Sequence, residues 1–297
     1  MRRSTTPRSP AAPSRGTPYR LPIQQNSPRR THNYGLTAFV VAVLALAVWG
    51  FGVGPGHLRT RRTTLTLPGL TEPRTVVLLS DVHGGAPHVD DEMLGRVVAA
   101  VNDAHPHLVL LLGDYVIDGV IGGEFMPPEH VAAALAGIEA PTLAVLGNHD
   151  GWNGPDSVER AFEAAGIPVL RNERATVAGI LVAGLDDPEA GGPDRSIVAD
   201  LAPPAIIAVH DPDVAAGLPG TVGLVVAGHT HGGQVALPLY GSIIQPTRRR
   251  FDDGLSAPFG RPLFVTPGIG TSIVPVRIGV PPTVDVLLLL PPAPAPR

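Results

Sequence analysis

From about residue 75 onward, short runs of Val, Ile, Leu and Ala recur, and five of them stop on residues able to bind a metal or move a proton. Val76 to Leu79 leads into Ser80-Asp81-Val82-His83, Leu108 to Leu112 into Gly113-Asp114, and Thr142 to Leu146 into Gly147-Asn148-His149-Asp150. Ala205 to Val209 leads into His210, and Leu224 to Ala227 into Gly228-His229-Thr230-His231. Apolar runs this short, bounded by Gly and polar residues, read as buried strands. Ile180 to Ala183, Leu263 to Val265 and Val284 to Leu290 follow the same pattern. Where strands alternate with helices, sites form outside the carboxyl ends of the strands. The five blocks therefore bring Asp, Asn and His side chains to one rim.

Helical patterns separate the early strands. In Asp90 to Ala104, Leu94, Val97, Val98 and Val101 fall at helical spacing, with Asp90 or Asp91 placed to cap the first turn. Asp156 to Ala165 has a capping Asp, Glu159 three residues later and Gly166 as a stop. The expectation is an α/β core whose later, Gly- and Pro-rich part is more purely β. The chain has no cysteine, so thiolate sites, disulfides and a Cys nucleophile are excluded, and any metal is held by N and O atoms. A net charge of −4 offers no basic field, and no nucleic-acid partner is indicated.

Residues 1–34 are rich in Pro, Ser, Thr and Arg and read as a disordered tail. Residues 35–54 read as a transmembrane or signal-anchor helix, with the uncharged stretch 36–53 in the bilayer. A linker (55–73), the main domain (74–290) and a Pro-rich tail (291–297) follow. More arginines precede the span than follow it, which places the N-terminus inside and the domain on the outer face of the cell membrane. Cleavage of the apolar run as a signal, releasing a secreted domain, is the alternative.

The blocks D-x-H, GD, GNHD, a lone His and GHTH, in that order, resemble the calcineurin-like metallophosphoesterase superfamily. The further matches GDYV, GLDD, HDPD, GHTHGGQ and PGIGTSIVPVR resemble its membrane-anchored bacterial phosphodiesterases of the YkuE/YaeI type. That resemblance implies a four-layer αββα sandwich and two divalent ions, Mn, Fe, Zn or Mg. By matching positions, Asp81, His83 and His231 would hold one ion and Asn148, His210 and His229 the other, with Asp114 bridging. It further implies in-line hydrolysis of a phosphodiester by metal-activated hydroxide, with lipid-linked esters and pyrophosphates as candidate substrates. His149 would act as the acid or transition-state donor, and the adjacent Asp150 would orient it.

Two rivals follow from the same residues. An inactive metal-binding membrane scaffold would lack a ligand or His149, and none is missing. A Ser/Thr protein phosphatase would carry phosphate-clamping arginines, whereas Ile117 follows GDYV and Leu146 precedes GNHD. His57, His88, His105, His107 and His130 are expected on loops or the surface. Asp187 is expected either as a plain turn or beside the metal ligands, and Arg248, Arg249 and Arg250 either on a solvated loop or at a phosphate or anionic lipid.

Overall fold

The computed structural model describes residues 34–219, 223–237, 239–251 and 253–293. It divides into two units, 1–41 and 42–297. In the first, the described residues 34–41 are helical and exposed, and they open α1 (Tyr34–Val48), which has no charged residue and no buried one. The helical stretch continues from Tyr34 to Gly56, 23 residues, enough at 1.5 Å each for a ~30 Å hydrocarbon core. The tail expected over 1–34 lies outside the described residues except for Tyr34, as do 294–297 of the expected C-terminal tail.

The second unit is built on two sheets. The first has the spatial order β1 (Arg59–Thr66), β13 (Thr283–Leu290), β2 (Arg74–Leu79), β3 (Leu108–Leu111), β4 (Thr142–Ala144). The second runs β11 (Gly254–Ser256), β12 (Leu263–Val265), β8 (Leu224–Ala227), β7 (Ala205–Ala208), β6 (Ile180–Gly184), β5 (Glu173–Val177). β2, β3 and β4 are parallel, as are β6, β7, β8 and β12, so the ligand-bearing loops of each sheet leave the same strand ends. A small hairpin, β9 (Ala236–Leu237) and β10 (Gly241–Ser242), follows the GHTH block.

Side chains of β2 alternate between two cores, as a strand's period of two requires. Val77 and Leu79 pack with Val109 and Leu111 beneath α2 (Asp91–Asn102), α3 (Pro128–Leu135) and α5 (Pro155–Ala164). Val76 and Leu78 face Val182, Ile206, Val226 and Phe264 across the space between the sheets. On the far face, Ile207, Val225 and Val265 are covered by the 3-10 helices Arg195–Val198 and Pro212–Gly217 and by Phe251. The sandwich thus has its four layers, with the last thinned to 3-10 turns.

Asp90 caps α2 by accepting from the Met93 amide at 2.9 Å, and Leu94, Val97 and Val101 are buried while Val98 is half-buried. α5 departs from expectation: Gly154 is its cap, and Asp156 and Glu159 instead pair with Arg171 at 2.9 and 3.1 Å. The linker expected over 55–73 is corrected more strongly, because eight of its residues form β1 and pair along their length with β13. The polar sequence RTRRTTLT suits an edge strand, and Arg61 reaches the buried Asp285 of β13 at 2.5 and 3.0 Å while lying over the Phe264 ring.

Candidate metal centre

Three of the five blocks turn sharply where their strands end. Asp81, His83, Asp114, His229 and His231 all have positive φ, at 51°, 50°, 57°, 67° and 50°. Left-handed backbone costs a non-glycine residue on the order of 1 kcal/mol or more and persists only where surrounding contacts enforce it. Those contacts are present: the Asp81 amide donates to the Gly113 carbonyl at 2.9 Å and the His83 amide to that of Asp114 at 3.0 Å. The glycines of the blocks permit close approach. A Cβ on Gly147 would lie 2.2 Å from Asp114 Oδ1, and one on Gly228 would lie 1.8 Å from Ser80 Oγ.

The turns converge seven side chains on two adjoining clusters. In one, His231 Nε2 lies 3.3 Å and His83 Nε2 4.0 Å from Asp81 Oδ1. In the other, His210 Nε2 lies 3.1 Å from both Asn148 Oδ1 and His229 Nδ1. Asp114 Oδ2 joins them, 3.4 Å from His83 Nε2 and 3.2 Å from His210 Nε2. The ligand atoms of Asp81, His83 and His231 lie within 4.8 Å of one another, as do those of Asp114, His210 and His229.

The donor set fits divalent cations. Asp81 Oδ1, His83 Nδ1 and Nε2, and His231 Nδ1 are buried without a hydrogen-bond partner, a state polar groups avoid unless something else binds them. His210 Nδ1 is 2.7 Å from the Leu112 carbonyl, which can only accept, so Nδ1 carries a proton and Nε2 is the nitrogen left to ligate a cation that takes the place of its proton. Burial opposes ionisation of Asp114, yet His210 and His83 hold its carboxyl well below the usual range. Burial pulls His231 down to about 3 despite Asp81, leaving a neutral imidazole of the kind that ligates metal.

His149 sits at the edge of this arrangement. Its amide donates to Asp114 Oδ1 at 2.9 Å, and its half-buried ring packs edge-on between His83 and Trp152, at 4.9 and 4.7 Å. A ring nitrogen of His149 lies within 4.8 Å of the ligand atoms of His83 and Asp114. Burial lowers its pKa to about 4.

A model of the family "Calcineurin-like phosphoesterase" matches residues 74–233. The metallophosphoesterase YkuE of Bacillus subtilis is 31% identical over 88% of this chain and 97% of its own length. The chain belongs to the calcineurin-like phosphoesterase family. It is a hydrolase acting on phosphoester bonds. The phosphodiesterase YaeI of Escherichia coli is also 31% identical, over 73% of this chain and 83% of its own. A transmembrane protein with a metallophosphoesterase domain from Danio rerio is 32% identical over 71% of this chain, which spans about half of that protein, 52%.

Within this calcineurin-like site Asp150 takes a different place from the one its sequence neighbour suggests. Its buried carboxylate does not orient His149; it accepts from the amides of Asp114, Tyr115 and Gly147 at 2.7, 2.9 and 2.9 Å, tying two ligand blocks together. Burial and the nearby Asp114 push it up to about 7, against the pull of those amides. Asp187 is buried, accepts from the Glu189 amide at 2.9 Å and is pushed up to about 6 by burial, with His210 the strongest opposing charge. Arg249 pairs with Asp213 at 3.1 Å, and Arg250 donates to the carbonyls of Tyr240 and Ser242.

Arg277, within PGIGTSIVPVR, supports the site from behind. It is 1% exposed, and its guanidinium holds the carbonyls of Pro267, Gly270 and Val280. The loop it holds in turn holds Asp81, through the Gly270 amide on the Asp81 carbonyl at 2.6 Å. Sequence offered only the signal of an arginine amid apolar residues. Arg277→Met, which keeps the bulk but leaves three carbonyls unmet, is expected to lower stability by about 2–4 kcal/mol in denaturant titration. An unchanged midpoint would remove Arg277 from the supports of the site.

Proposed function

We propose that this hydrolase is a membrane-anchored phosphodiesterase whose two divalent ions are held by Asp81, His83 and His231 on one side and by Asn148, His210 and His229 on the other, with Asp114 shared. The observation that carries the reading is the position of Asp114 Oδ2, within 3.4 Å of a histidine nitrogen from each cluster. When bound, such ions polarise the phosphoryl oxygens and acidify a water for in-line attack. Two divalent ions, less the charges of Asp81, Asp114 and the attacking hydroxide, would leave about one positive charge, which suits an anionic ester. A diester carries one negative charge and matches the small residue of positive charge more closely than a monoester dianion.

The chain's own residues supply orientation. Asp150 fixes the backbone that presents Asp114 and Asn148, and the His210 bond to Leu112 fixes its tautomer. His149, at the cluster edge, is placed to hydrogen-bond the leaving or phosphoryl oxygen. His149→Ala is expected to lower turnover roughly 10²- to 10⁴-fold with metal content nearly intact, and the loss should shrink for substrates with good leaving groups. Departure of both ions with the ring would make His149 a ligand.

The helical stretch Tyr34–Gly56 supports a single-pass anchor, and the arginine excess before it supports an outward-facing domain. Lipid-linked phosphodiesters are the substrates this placement favours. The test is to strip the full chain of metal, restore Mn, Fe, Zn or Mg singly, and assay diester, monoester and pyrophosphate substrates. Activity should return with two equivalents of metal per chain and be greatest on diesters. Activity surviving exhaustive chelation would sink the metal reading, and a preference for monoesters the diester reading.

A further inference from the structure

We infer that the rim around the metal cluster is a membrane-contacting surface: its loop tips rest in the headgroup region of the bilayer, and the ester admitted between them is an amphiphile taken from that surface. The inference rests on the membrane-anchored reading above and adds to it where the domain meets the lipid.

Three loops leave the ligand blocks. The loop after Asp114 carries Ile121, the loop after His231 carries Ile243 and Ile244, and the loop running on from Pro267–Gly270, which holds Asp81, carries Ile273. These isoleucines are 65%, 51%, 73% and 70% exposed. They belong to loops bonded side by side. The Ile121 amide donates to the Ile273 carbonyl at 3.2 Å, and the Ile243 amide to that of Val235 at 3.0 Å. The Gln234 side chain bridges between them, accepting from the Ser272 amide and donating to the Val274 carbonyl. Isoleucines clustered on adjoining loop tips form an apolar patch of the kind that marks an interaction surface.

The end of the apolar helical stretch is fastened to the same band. The Arg277 amide donates to the Gly50 carbonyl at 2.9 Å, and His88 Nε2 is 2.8 Å from the Phe51 carbonyl. Gly50 is seated so closely that a Cβ there would meet Ile278 at 2.8 Å. Ile278 in turn bonds the backbone beside Val235, at the root of the Ile243 loop, through its amide on the Gln234 carbonyl at 2.9 Å. Trp49 and Phe51, each 48% exposed, therefore share a rigid backbone frame with the rim. A span that ends on this frame brings the rim to the level where tryptophan prefers to sit, the membrane interface. That continuity names lipid as the occupant, and the exposed Arg248 on the loop after Ile244 suits an anionic headgroup layer.

The absence of cysteine makes the test clean. Single-cysteine variants of the full chain, Val43→Cys in the span, Ile121→Cys, Ile244→Cys and Ile273→Cys on the rim, and Glu139→Cys before β4 at the opposite strand ends, would be labelled with an environment-sensitive fluorophore. Each would be reconstituted into phosphatidylcholine and phosphatidylglycerol vesicles with or without brominated chains. Labels seated ~5–10 Å into the interface should lose on the order of half their emission to bromine. The expected result is quenching at 43, 121, 244 and 273 and none at 139. Quenching at 43 without the rim positions overturns the inference and leaves the anchor standing. No quenching at 43 overturns the anchor and this inference with it, and equal quenching at 139 would mean unspecific adsorption, which also overturns it.

Discussion

Asp114→Asn is expected to reduce phosphodiester hydrolysis below detection and to lower bound metal from two equivalents to one or fewer. The substitution preserves shape, and an amide oxygen can still receive the His149 amide that Asp114 Oδ1 now accepts at 2.9 Å. What disappears is the negative charge shared by the two clusters, at 3.4 Å from His83 and 3.2 Å from His210. On the proposed two-ion reading Asp114 would be the carboxylate between two dications, which repel strongly at any plausible dielectric. Losing an outer ligand such as Asn148 would then weaken one ion, whereas losing Asp114 would weaken both. Metal analysis of the purified variant beside a turnover assay checks this. Full occupancy together with full activity would refute the shared-ligand geometry.

Asp150→Ala is expected to lower stability by about 3–5 kcal/mol, because it leaves three buried backbone amides without their acceptor. Those amides belong to Asp114, Tyr115 and Gly147, and Asp150 itself is fully buried. For a domain of this size the loss corresponds to a fall in Tm on the order of 10 °C. Activity should fall as well, since the backbone that aims Asp114 loses its brace. Calorimetry of the metal-free protein isolates the stability effect from any loss of bound ions. A Tm within about 2 °C of the parent would show that the amides find other acceptors.

These two residues also show how much of the site is legible in the sequence. Asp114 was legible because a strand, a glycine and an acid stand in a row, and the physics of strand ends does the rest. Asp150 was legible as important but not in its direction. Residues 148–152 form α4 (Asn148–Trp152), and in a helix neighbours point about 100° apart, so His149 faces the cluster while Asp150 turns inward. β1 was hidden for another reason: RTRRTTLT has no apolar period, and its place is set by Asp285 and Phe264, which lie far along the chain. Arg277 was hidden in the same way, since its partners are carbonyls whose positions depend on a loop conformation that composition does not encode. The strands with continuous apolar runs are legible because their determinants are local, and of the two caps the sequence allows, Asp90 and Asp91, the structure uses Asp90.

The pairing of β1 with β13 sets the order in which this protein can be made. β13 lies between β1 and β2, and the Arg61 to Asp285 contact closes a separation of 224 residues. At typical synthesis rates of ~5–20 residues per second, the facing edges of β1 and β2 wait roughly 10 to 45 s before their shared neighbour emerges. During that interval the first sheet is two fragments with open edges, and the helical stretch that precedes β1 has already left the ribosome. Completion of the first sheet is therefore a late event in biogenesis, and a ribosome stalled before codon 283 would display a nascent chain with every proposed metal ligand present but that sheet still open.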